Sequence, residues 1–424
     1  MKSHILIGFL VGTLSVFAVE RVSLEQLQDN WSGYNNHMVQ LTTPLVVCGS
    51  FYDSLILAPQ RLFCPEERAE GLAQGDSTAY YALAAQNRQS SVVLHCRNNY
   101  YNVRTGDIVR NLQARVTGER HLLTGKSVPT RHTPEDRLPK QGKGELRVVG
   151  ANIENYFADL GGYAHRRTTP AQQQMHTVKL VKGLRAMNAD IFAFCEMQVG
   201  DKAPQMLLDA LNRHGKKYAF VAMPMDNIDR IGCCFVYDTE RVKPCQTPVS
   251  AYHDTASHYY ARMLAQGFEQ TATSRRFVIS VNHLKSKRPG REQYDTNAKR
   301  MENTDSLLAM LPQAVTLYGD SDILLLGDYN CYTMEQPVRR IVQAGYADLL
   351  PHGTDGDYSY NYKGEAGYLD RCFANPSMAA QVVRVRPWHI NADWYYQHGA
   401  YKLKDKSLHR YSDHDPIVVD INLK

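Results

Sequence analysis

Two different hydrophobic patterns divide the chain, and the change falls near residue 140. Between about residues 34 and 127, short apolar runs alternate with Gly, Asn and Asp, as in "TPLVVCGSFYD" and "RHLLTG". Short strands rich in β-branched residues and separated by turn residues are typical of an all-β module. We therefore predict a small β-barrel domain over residues 34–127.

A second pattern begins at residue 145, where apolar strands alternate with helical stretches. The segment after residue 168 predicts a helix, because Thr169 can cap its first turn and Pro170 suits the first helical position. The strands predicted in this part are "DIFAFCE", "IGCCFVYD", "RRFVISVNHLK", "DILLLGDYN" and "PIVVDIN". The alternation predicts one mixed α and β domain over residues 145–424.

Two short segments lie outside these domains. Residues 128–144 are rich in Pro, Gly and charge, which indicates a linker. Residues 1–18 combine one early lysine, an apolar stretch and small residues at Val16 and Ala18, which indicates a signal peptide. We therefore expect export to the periplasm or the exterior. The apolar stretch is too short for a comfortable membrane span, so we expect no stable membrane insertion.

Composition changes this picture only slightly. A net charge of +5 suits a polyanionic substrate but would suit any basic protein. The nine cysteines are scattered and form no CxxC pair, so a zinc site has no support. Several lie in apolar runs and are expected to be buried free thiols. A disulfide among Cys48, Cys64 and Cys96 stays open at this point.

Polar side chains recur where the predicted strands of the second domain end. They are Asn152, Glu196, His283, Asp328, Asn330, Asp370, Asp413 and His414. Each alone has an ordinary explanation, such as a turn or a helix cap. Together their carboxylate and carboxamide oxygens favour Mg²⁺, or else Mn²⁺ or Ca²⁺, and such ions stabilise phosphoryl-transfer transition states. Histidines add acid-base capacity near neutral pH.

Six motifs then resemble, in order, those of the endonuclease/exonuclease/phosphatase superfamily. They are "GANIENYF", "FAFCEMQ", "VNHLKSK", "LLLGDYN", "GYLDR" and "SDHDP". Upstream, "VRTGDIVRNLQARVTG" resembles the oligonucleotide-binding (OB)-like region of bacterial extracellular nucleases in this superfamily. The resemblance implies an α+β protein, with a four-layer αββα sandwich as catalytic domain over residues 145–424, preceded by a small OB-like β-barrel.

The resemblance also implies roles for the site residues. Glu196 would hold the divalent ion, with Asn152 and Asp413 around it. Asp328 and Asn330 would orient or deprotonate the attacking water and hold the scissile phosphate.

The histidines would complete this site. His414, braced by Asp370, would serve in acid-base chemistry, because a neighbouring carboxylate raises the basicity of an imidazole. His283 would hydrogen-bond the phosphate or protonate the leaving oxygen. The chain departs from the family pattern in two places: "MQVGD" follows Glu196, and Arg371 stands where relatives often have His.

Four basic residues follow the histidine strand and are predicted to bind substrate phosphates in a salt-dependent way. They are Lys285, Lys287, Arg288 and Arg300. A solvated charged surface is the plain alternative for this segment.

The leading functional prediction is an exported, metal-dependent nuclease that hydrolyses DNA, RNA or both, acts endonucleolytically and needs no obligate protein partner. The alternative is a phosphoesterase of the same superfamily that acts on phospholipid or inositol phosphate headgroups. That activity favours an exposed apolar hairpin, and we find none between the predicted strands. A non-catalytic binding protein is disfavoured, because every motif position is filled.

Overall fold

The computed structural model describes residues 19–51, 53–96, 103–143, 145–160, 168–223, 230–251, 262–288, 296–350, 357–395 and 405–424. The predicted signal peptide, residues 1–18, lies outside this described part. Within these ranges, no helix has both the length and the apolar character needed to cross a membrane.

The N-terminal module, residues 20–131, is built around one sheet. Its strands are β1 (Glu20–Val22), β2 (Met38–Leu41), β3 (Leu45–Phe51), β4 (Ser54–Ala58), β5 (Leu62–Phe63), β6 (Val92–His95), β7 (Ile108–Val109), β8 (Gln113–Gly118), β9 (His121–Leu123) and β10 (Thr130–Arg131). Its helices are α1 (Leu24–Asp29) and α2 (Thr78–Ser90), with a 3₁₀ turn at Pro65–Glu67. All strands except β5 form a nine-stranded sheet in the order β1-β2-β8-β9-β6-β4-β3-β7-β10.

This module confirms the predicted β-rich region, while its likeness to an OB fold stays a prediction. Its core is apolar and lies on alternate strand positions, for example Val39, Leu57 and Leu94, all fully buried. The strand β10 lies inside the segment that the sequence marks as linker, because residues 130 and 131 pair with β7. The thirteen-residue helix α2 was not predicted.

The C-terminal domain, residues 145–424, contains the remaining elements. Its strands are β11 (Leu146–Tyr156), β12 (Ile191–Gln198), β13 (Tyr218–Ala222), β14 (Ile231–Asp238), β15 (Val242–Ala251), β16 (Arg262–Gln270), β17 (Arg276–His283), β18 (Ile323–Asp328), β19 (Ala347–Asp348), β20 (Tyr360–Tyr362), β21 (Glu365–Gly367), β22 (Asp370–Ala374), β23 (Val382–Pro387) and β24 (Ile417–Ile421). Its helices are α3 (Pro170–Met187), α4 (Lys202–Leu211), α5 (Thr296–Tyr318), α6 (Gln336–Gln343) and α7 (Pro376–Ala379).

Two six-stranded sheets form the centre of this domain, in the orders β13-β14-β12-β11-β24-β23 and β15-β16-β17-β18-β22-β19. Successive strand residues point to opposite faces, so Ile191 packs between the sheets while its neighbour Phe192 packs outward. Helices α3 and α4 cover the outer face of the first sheet, and α5 and α6 cover that of the second. The predicted four-layer αββα sandwich is confirmed.

The helix predicted after residue 168 is α3, and its capping is as expected. The Thr169 hydroxyl accepts a hydrogen bond from the backbone N–H of Gln172 at 3.2 Å, and the Gln172 side chain accepts one from the Thr169 N–H at 2.9 Å. This reciprocal capping box satisfies two N–H groups that otherwise have no helical partner. Pro170 occupies the first helical position, as predicted.

A small third sheet connects the two parts of the chain. Strands β20 and β21 form a hairpin, and β5 of the N-terminal module pairs in parallel with β21. The Asn361 side chain of β20 also donates to the carbonyl of Cys48 at 2.8 Å. The two parts are therefore joined by strand pairing as well as by the linker.

The nine cysteines all lie in the described ranges and all are free. Eight are buried, as the apolar surroundings predicted, and the open possibility of a disulfide among Cys48, Cys64 and Cys96 is not realised. Burial raises the pKa of the Cys48 thiol to about 11, so this thiol stays protonated at neutral pH.

Candidate active site

The polar residues predicted from strand ends meet at one edge of the two central sheets. His283 and Asp328 are register partners at the ends of β17 and β18, and Asp328 is in turn paired with Asp370 at the start of β22. Asn152 on β11 and Glu196 on β12 approach them from the facing sheet. The strand register therefore brings together residues that are far apart in the sequence.

Asn152 ties the two nearest carboxylates together. Its side-chain N–H₂ lies 3.1 Å from Oε1 of Glu196 and 3.1 Å from Oδ2 of Asp328, while its Oδ1 accepts from the backbone of Glu154. The other oxygen of Glu196 accepts from the N–H of Asn155 at 2.8 Å. In this arrangement Asn152 turns its amide hydrogens, and not its carbonyl oxygen, toward the carboxylates.

Both carboxylates are held where a negative charge is unfavourable. Burial, followed by repulsion from Asp413, raises the pKa of Glu196. Burial also raises the pKa of Asp328 to about 7, with His414 opposing this effect and Asp370 adding to it. A bound cation would compensate such a cluster, because it favours the charged form of each acid.

The donor set fits a divalent metal ion. Ligand atoms of Glu196, His283 and Asp328 lie within 4.8 Å of one another, and so do those of Asp328, Asp370 and His414. Carboxylate oxygens dominate these groups, which matches the preference of Mg²⁺ and similar hard cations. Asp413 is half-buried and close enough to influence the pKa of Glu196, as expected for a residue near the ion.

His283 is buried beside the carboxylates. Its Nε2 lies 3.7 Å from Oδ2 of Asp328 and 3.9 Å from Oε1 of Glu196. Burial, with the positive charges of Arg262 and His414, lowers the pKa of His283 well below its usual range. Its Nδ1 has no hydrogen-bond partner among the residues that the structure describes. The ring is therefore neutral at pH 7.

His414 has the opposite character. Its Nδ1 lies 2.8 Å from Oδ2 of Asp370, and its Nε2 lies 3.9 Å from Oδ2 of Asp328. Burial opposes charge on this ring, but Asp370 and Asp328 outweigh that effect and raise the pKa of His414 well above its usual range. His414 is therefore protonated at neutral pH.

Two residues that the sequence analysis missed hold this pair in place. The hydroxyl of Ser359 accepts from the N–H of Asp370 at 3.0 Å. The ring of Tyr360 packs against that of His414, tilted by 33°, with 4.5 Å between the ring centroids. The alternating tyrosines of "SYNY" are the only sequence signal for this segment, and no family motif covers it.

Unusual backbone geometry accompanies the site. Glu196 has φ +64° where the pairing of β12 with β14 shifts register, and Asn330 has φ +50°. Gly327 has φ +132°, and a Cβ there would lie 2.0 Å from the carbonyl oxygen of Asn282. Only glycine fits before Asp328, because β17 and β18 approach so closely there. Such conformations cluster at functional sites.

Asn330 is anchored next to Asp328. Its backbone N–H donates to Oδ1 of Asp328 at 2.9 Å, and its side chain donates to the carbonyl of Leu284 at 3.1 Å. The fold therefore holds these two residues together, and their chemical roles stay predictions.

The four basic residues predicted to bind substrate differ in their contacts. Lys287 lies 2.6 Å from Oε2 of Glu335, and the buried Arg300 lies 3.7 Å from Oε1 of the same carboxylate. The Lys285 amine donates to the carbonyl of Arg288 at 3.0 Å. Two of the four thus pair with an acid, and phosphate binding by this group stays a prediction.

A buried ion-pair network supports the site from behind. Arg371, next to Asp370, is fully buried, with 2.9 Å between its Nη1 and Oδ2 of Asp348. Its Nη2 lies 3.5 Å from Oε1 of Glu67, which belongs to the N-terminal module. The same Glu67 oxygen accepts from the N–H of Tyr368 at 2.7 Å. Arg371 departs from the family pattern, whereas no local sequence pattern marks Glu67.

Comparisons with known proteins agree with this architecture. The model of the "Endonuclease/Exonuclease/phosphatase family" matches residues 151–414. The human Nocturnin catalytic domain with bound sulfate anion is 17% identical, with 66% of this chain and 94% of that chain covered and a TM-score of 0.44. The mannosyl-6-phosphatase of Bacteroides thetaiotaomicron is 15% identical, with 65% and 98% covered and a TM-score of 0.46. No curated protein sequence matches the chain. At these identities and TM-scores, no function transfers from either structure.

Proposed function

The chain belongs to the endonuclease/exonuclease/phosphatase family, whose members are hydrolases of phosphoester bonds, and we propose that it cleaves the phosphodiester backbone of DNA, RNA or both. We further propose that it acts endonucleolytically and is exported. Export is motivated by the N-terminal segment alone.

One observation supports the hydrolytic part of the proposal above all others. Glu196, Asp328, His283 and His414 meet with 3.7 to 3.9 Å between facing nitrogen and oxygen atoms, and His414 pairs with Asp370 at 2.8 Å. Surroundings that shift the pKa values of two neighbouring histidines in opposite directions are typical of acid-base sites. The oxygen-rich donors beside them suit a metal-assisted reaction at phosphorus.

Glu196 would hold the divalent ion, with Asn152 and Asp413 around it and Asp328 close by. When bound, the ion would supply Lewis acidity and neutralise charge on the phosphate oxygens. The ion would also lower the pKa values of Glu196 and Asp328, since a nearby positive charge favours their ionised forms.

The remaining residues would handle the proton and the geometry. Asp328, beside Asn330, would orient the attacking water and accept its proton. The protonated His414, oriented by Asp370, would donate a hydrogen bond or a proton to a phosphate or leaving oxygen. The neutral His283 would contribute a hydrogen bond to the phosphate. These groups act together, so the rate lost when one of them is removed does not measure that group's separate contribution.

The test is cleavage of supercoiled plasmid and of single-stranded RNA, in Mg²⁺ and in chelator. His414→Ala is compared with the parent, and His214→Ala, at an exposed position of the same domain, serves as the matched control. Cleavage that needs metal, survives His214→Ala and vanishes in His414→Ala is the expected result. Nicked circles that precede short fragments identify an endonuclease.

A folded protein that cleaves neither polymer would overturn the nuclease proposal. Phospholipids and inositol phosphates are then the substrates to try, because they present phosphodiesters or phosphomonoesters to the same site.

A further inference from the structure

Two exposed aromatic side chains share one lysine where the N-terminal module meets the C-terminal domain. Phe51 is 43% exposed and Tyr362 is 52% exposed. The Lys363 amine lies 5.5 Å from the ring centroid of Phe51 and 5.2 Å from that of Tyr362. Rings of this size usually pack inward, and exposed aromatic rings beside positive charge are the combination that binds single-stranded nucleic acids.

Close contacts between two strands hold this surface in place. The β20–β21 turn rests on strand β3, where a Cβ added to Gly49 would lie 2.7 Å from Cα of Gly364. Asn361 spans the same contact through its hydrogen bond to the carbonyl of Cys48. Phe51 ends β3, while Tyr362 ends β20. The two rings thus come from two parts of the chain that are held rigidly together.

The surface is continuous with the active site. Tyr360 and Tyr362 are two residues apart on β20, so they point to the same face and are separated by about 7 Å along the strand. Asn361, between them, points the other way, toward Cys48. Because Tyr360 packs against His414, the exposed ring of Tyr362 is one step farther from the site along the same face.

Positive charge accompanies this row. Arg410 and Arg288 are close enough to lower the pKa of Tyr360, against the larger raising effects of burial and of Asp413. Arg410 and Arg288 therefore lie near Tyr360, and Lys363 lies against Tyr362 farther along the same strand. A phosphate chain that leaves the site along β20 would meet this positive charge.

We propose that Phe51, Tyr362 and Lys363 form a nucleotide-binding subsite, the aromatic step, which stacks an unpaired base of the substrate and holds its phosphate. This inference rests on the proposed nuclease function and adds a preference for single-stranded substrates. A base in a duplex already stacks on its neighbours, so only an unpaired base can lie on these rings. Stacking on aromatic rings is tolerant of base identity, so the subsite would confer strand preference without sequence preference.

The test compares the steady-state kinetics of the full-length protein on single-stranded oligonucleotides of equal length. One carries all its bases, and the other has abasic residues on both sides of a single intact nucleotide pair. The variants are Phe51→Ala/Tyr362→Ala, the ring-retaining Phe51→Tyr/Tyr362→Phe, and Tyr81→Ala as the matched control. Tyr81 is 67% exposed on helix α2, outside the aromatic step.

The alanine pair is expected to raise KM for the intact oligonucleotide by roughly 5- to 100-fold, the range for the loss of stacked bases, with kcat little changed. The abasic oligonucleotide should lose nothing in the same variant. The ring-retaining pair and Tyr81→Ala should behave as the parent protein does.

An active parent enzyme whose alanine pair cleaves the intact oligonucleotide normally would overturn the aromatic step alone. Equal losses on the intact and abasic substrates would also overturn it, because the rings would then serve folding and not base binding. A parent enzyme inactive on every nucleic acid would instead overturn the proposed function.

Discussion

Nδ1 of His414 lies 2.8 Å from Oδ2 of Asp370, and the two side chains are buried together at the centre of the site. The carboxylate both orients the ring and keeps it charged, since burial alone would lower the pKa of His414. The hydroxyl of Ser359 accepts from the N–H of Asp370, and the side chain of Arg371 donates to the carbonyl of Tyr368. The pair is therefore positioned by the fold before any substrate arrives.

Asp370→Asn should lower kcat by about 10²- to 10⁴-fold, the usual contribution of one positioned proton-transfer group. The substitution keeps the shape of the side chain but removes the charge that favours imidazolium. Initial rates at saturating substrate measure the effect, and Asp305→Asn, at an exposed position, provides the control. A loss of less than about threefold would show that the pair does not act in the reaction.

Substitution of Glu196, a predicted metal ligand, should abolish metal binding without unfolding the protein. The thermal midpoint of the parent protein should rise with Mg²⁺ concentration, because a ligand that binds only the folded state stabilises it. Glu196→Gln should abolish that rise. In chelator the same variant should be at least as stable as the parent, since it removes a half-buried acid whose pKa is raised by desolvation and by Asp413. Differential scanning fluorimetry in both conditions gives the answer, and an undiminished Mg²⁺ response would exclude Glu196 as a ligand.

The contact between Glu67 and Arg371 should appear as a coupling energy between the two parts of the chain. Arg371→Met should cost about 3–5 kcal/mol of unfolding free energy, because it leaves buried acids without their partner. In a double-mutant cycle with Glu67→Gln, the coupling should be at least about 1 kcal/mol.

Urea denaturation of the four proteins of this cycle provides the measurement. Arg340→Gln, which breaks the exposed Arg340–Asp305 pair, should change stability by no more than about 1 kcal/mol. Additivity of Glu67→Gln and Arg371→Met within about 0.5 kcal/mol would show that the two residues are not coupled.

Stability should fall at alkaline pH because of His389. Burial alone would lower the pKa of this histidine, but hydrogen bonds to Asp357 and Asp415 raise it to about 10. Since the folded-state pKa exceeds the unfolded value of about 6.5, the stabilisation is complete below pH 6.5 and disappears as the pH rises through 10. The contribution to the slope is at most about 1.4 kcal/mol per pH unit in that window.

The check is the free energy of unfolding at several pH values from 6 to 10, for the parent and for His389→Gln. The parent should lose more stability over this window than the variant does. Parallel curves would mean that His389 has the same pKa in both states.

Periodicity predicted one mixed α and β domain with polar residues at its strand ends, and the resemblance to the superfamily implied that this domain is a four-layer sandwich. Strand and helix periodicity depend on local burial, and the strand-end residues are local in the same sense: Glu196, Asp328 and His414 each stand beside their own apolar run. Their convergence follows once the strands share a sheet edge. The cap of α3 at Thr169 is likewise a property of four adjacent residues.

What the sequence could not predict depends on distant contacts. Glu67 and Tyr368 are 301 positions apart, and no local pattern marks an acid that enters another part of the fold. The ion pair of Lys287 could not be predicted for the same reason, because its partner Glu335 lies 48 positions away in the sequence. The strand β10 is two residues long, and its pairing with β7 overrides the Pro-rich composition that suggested an unstructured linker.

The pairing of β5 with β21 has a consequence for how the molecule responds to cutting. A protease that cleaves between residues 132 and 143 would break one covalent connection, while the shared strands and the Glu67–Arg371 contact would remain. The two fragments should therefore elute as one particle in buffer and come apart only in denaturant. Either half expressed by itself would leave a sheet edge unpaired and would leave Glu67 or Arg371 without one of its ionic partners. The boundary between the two parts of the chain is therefore not a boundary between two independently folding units.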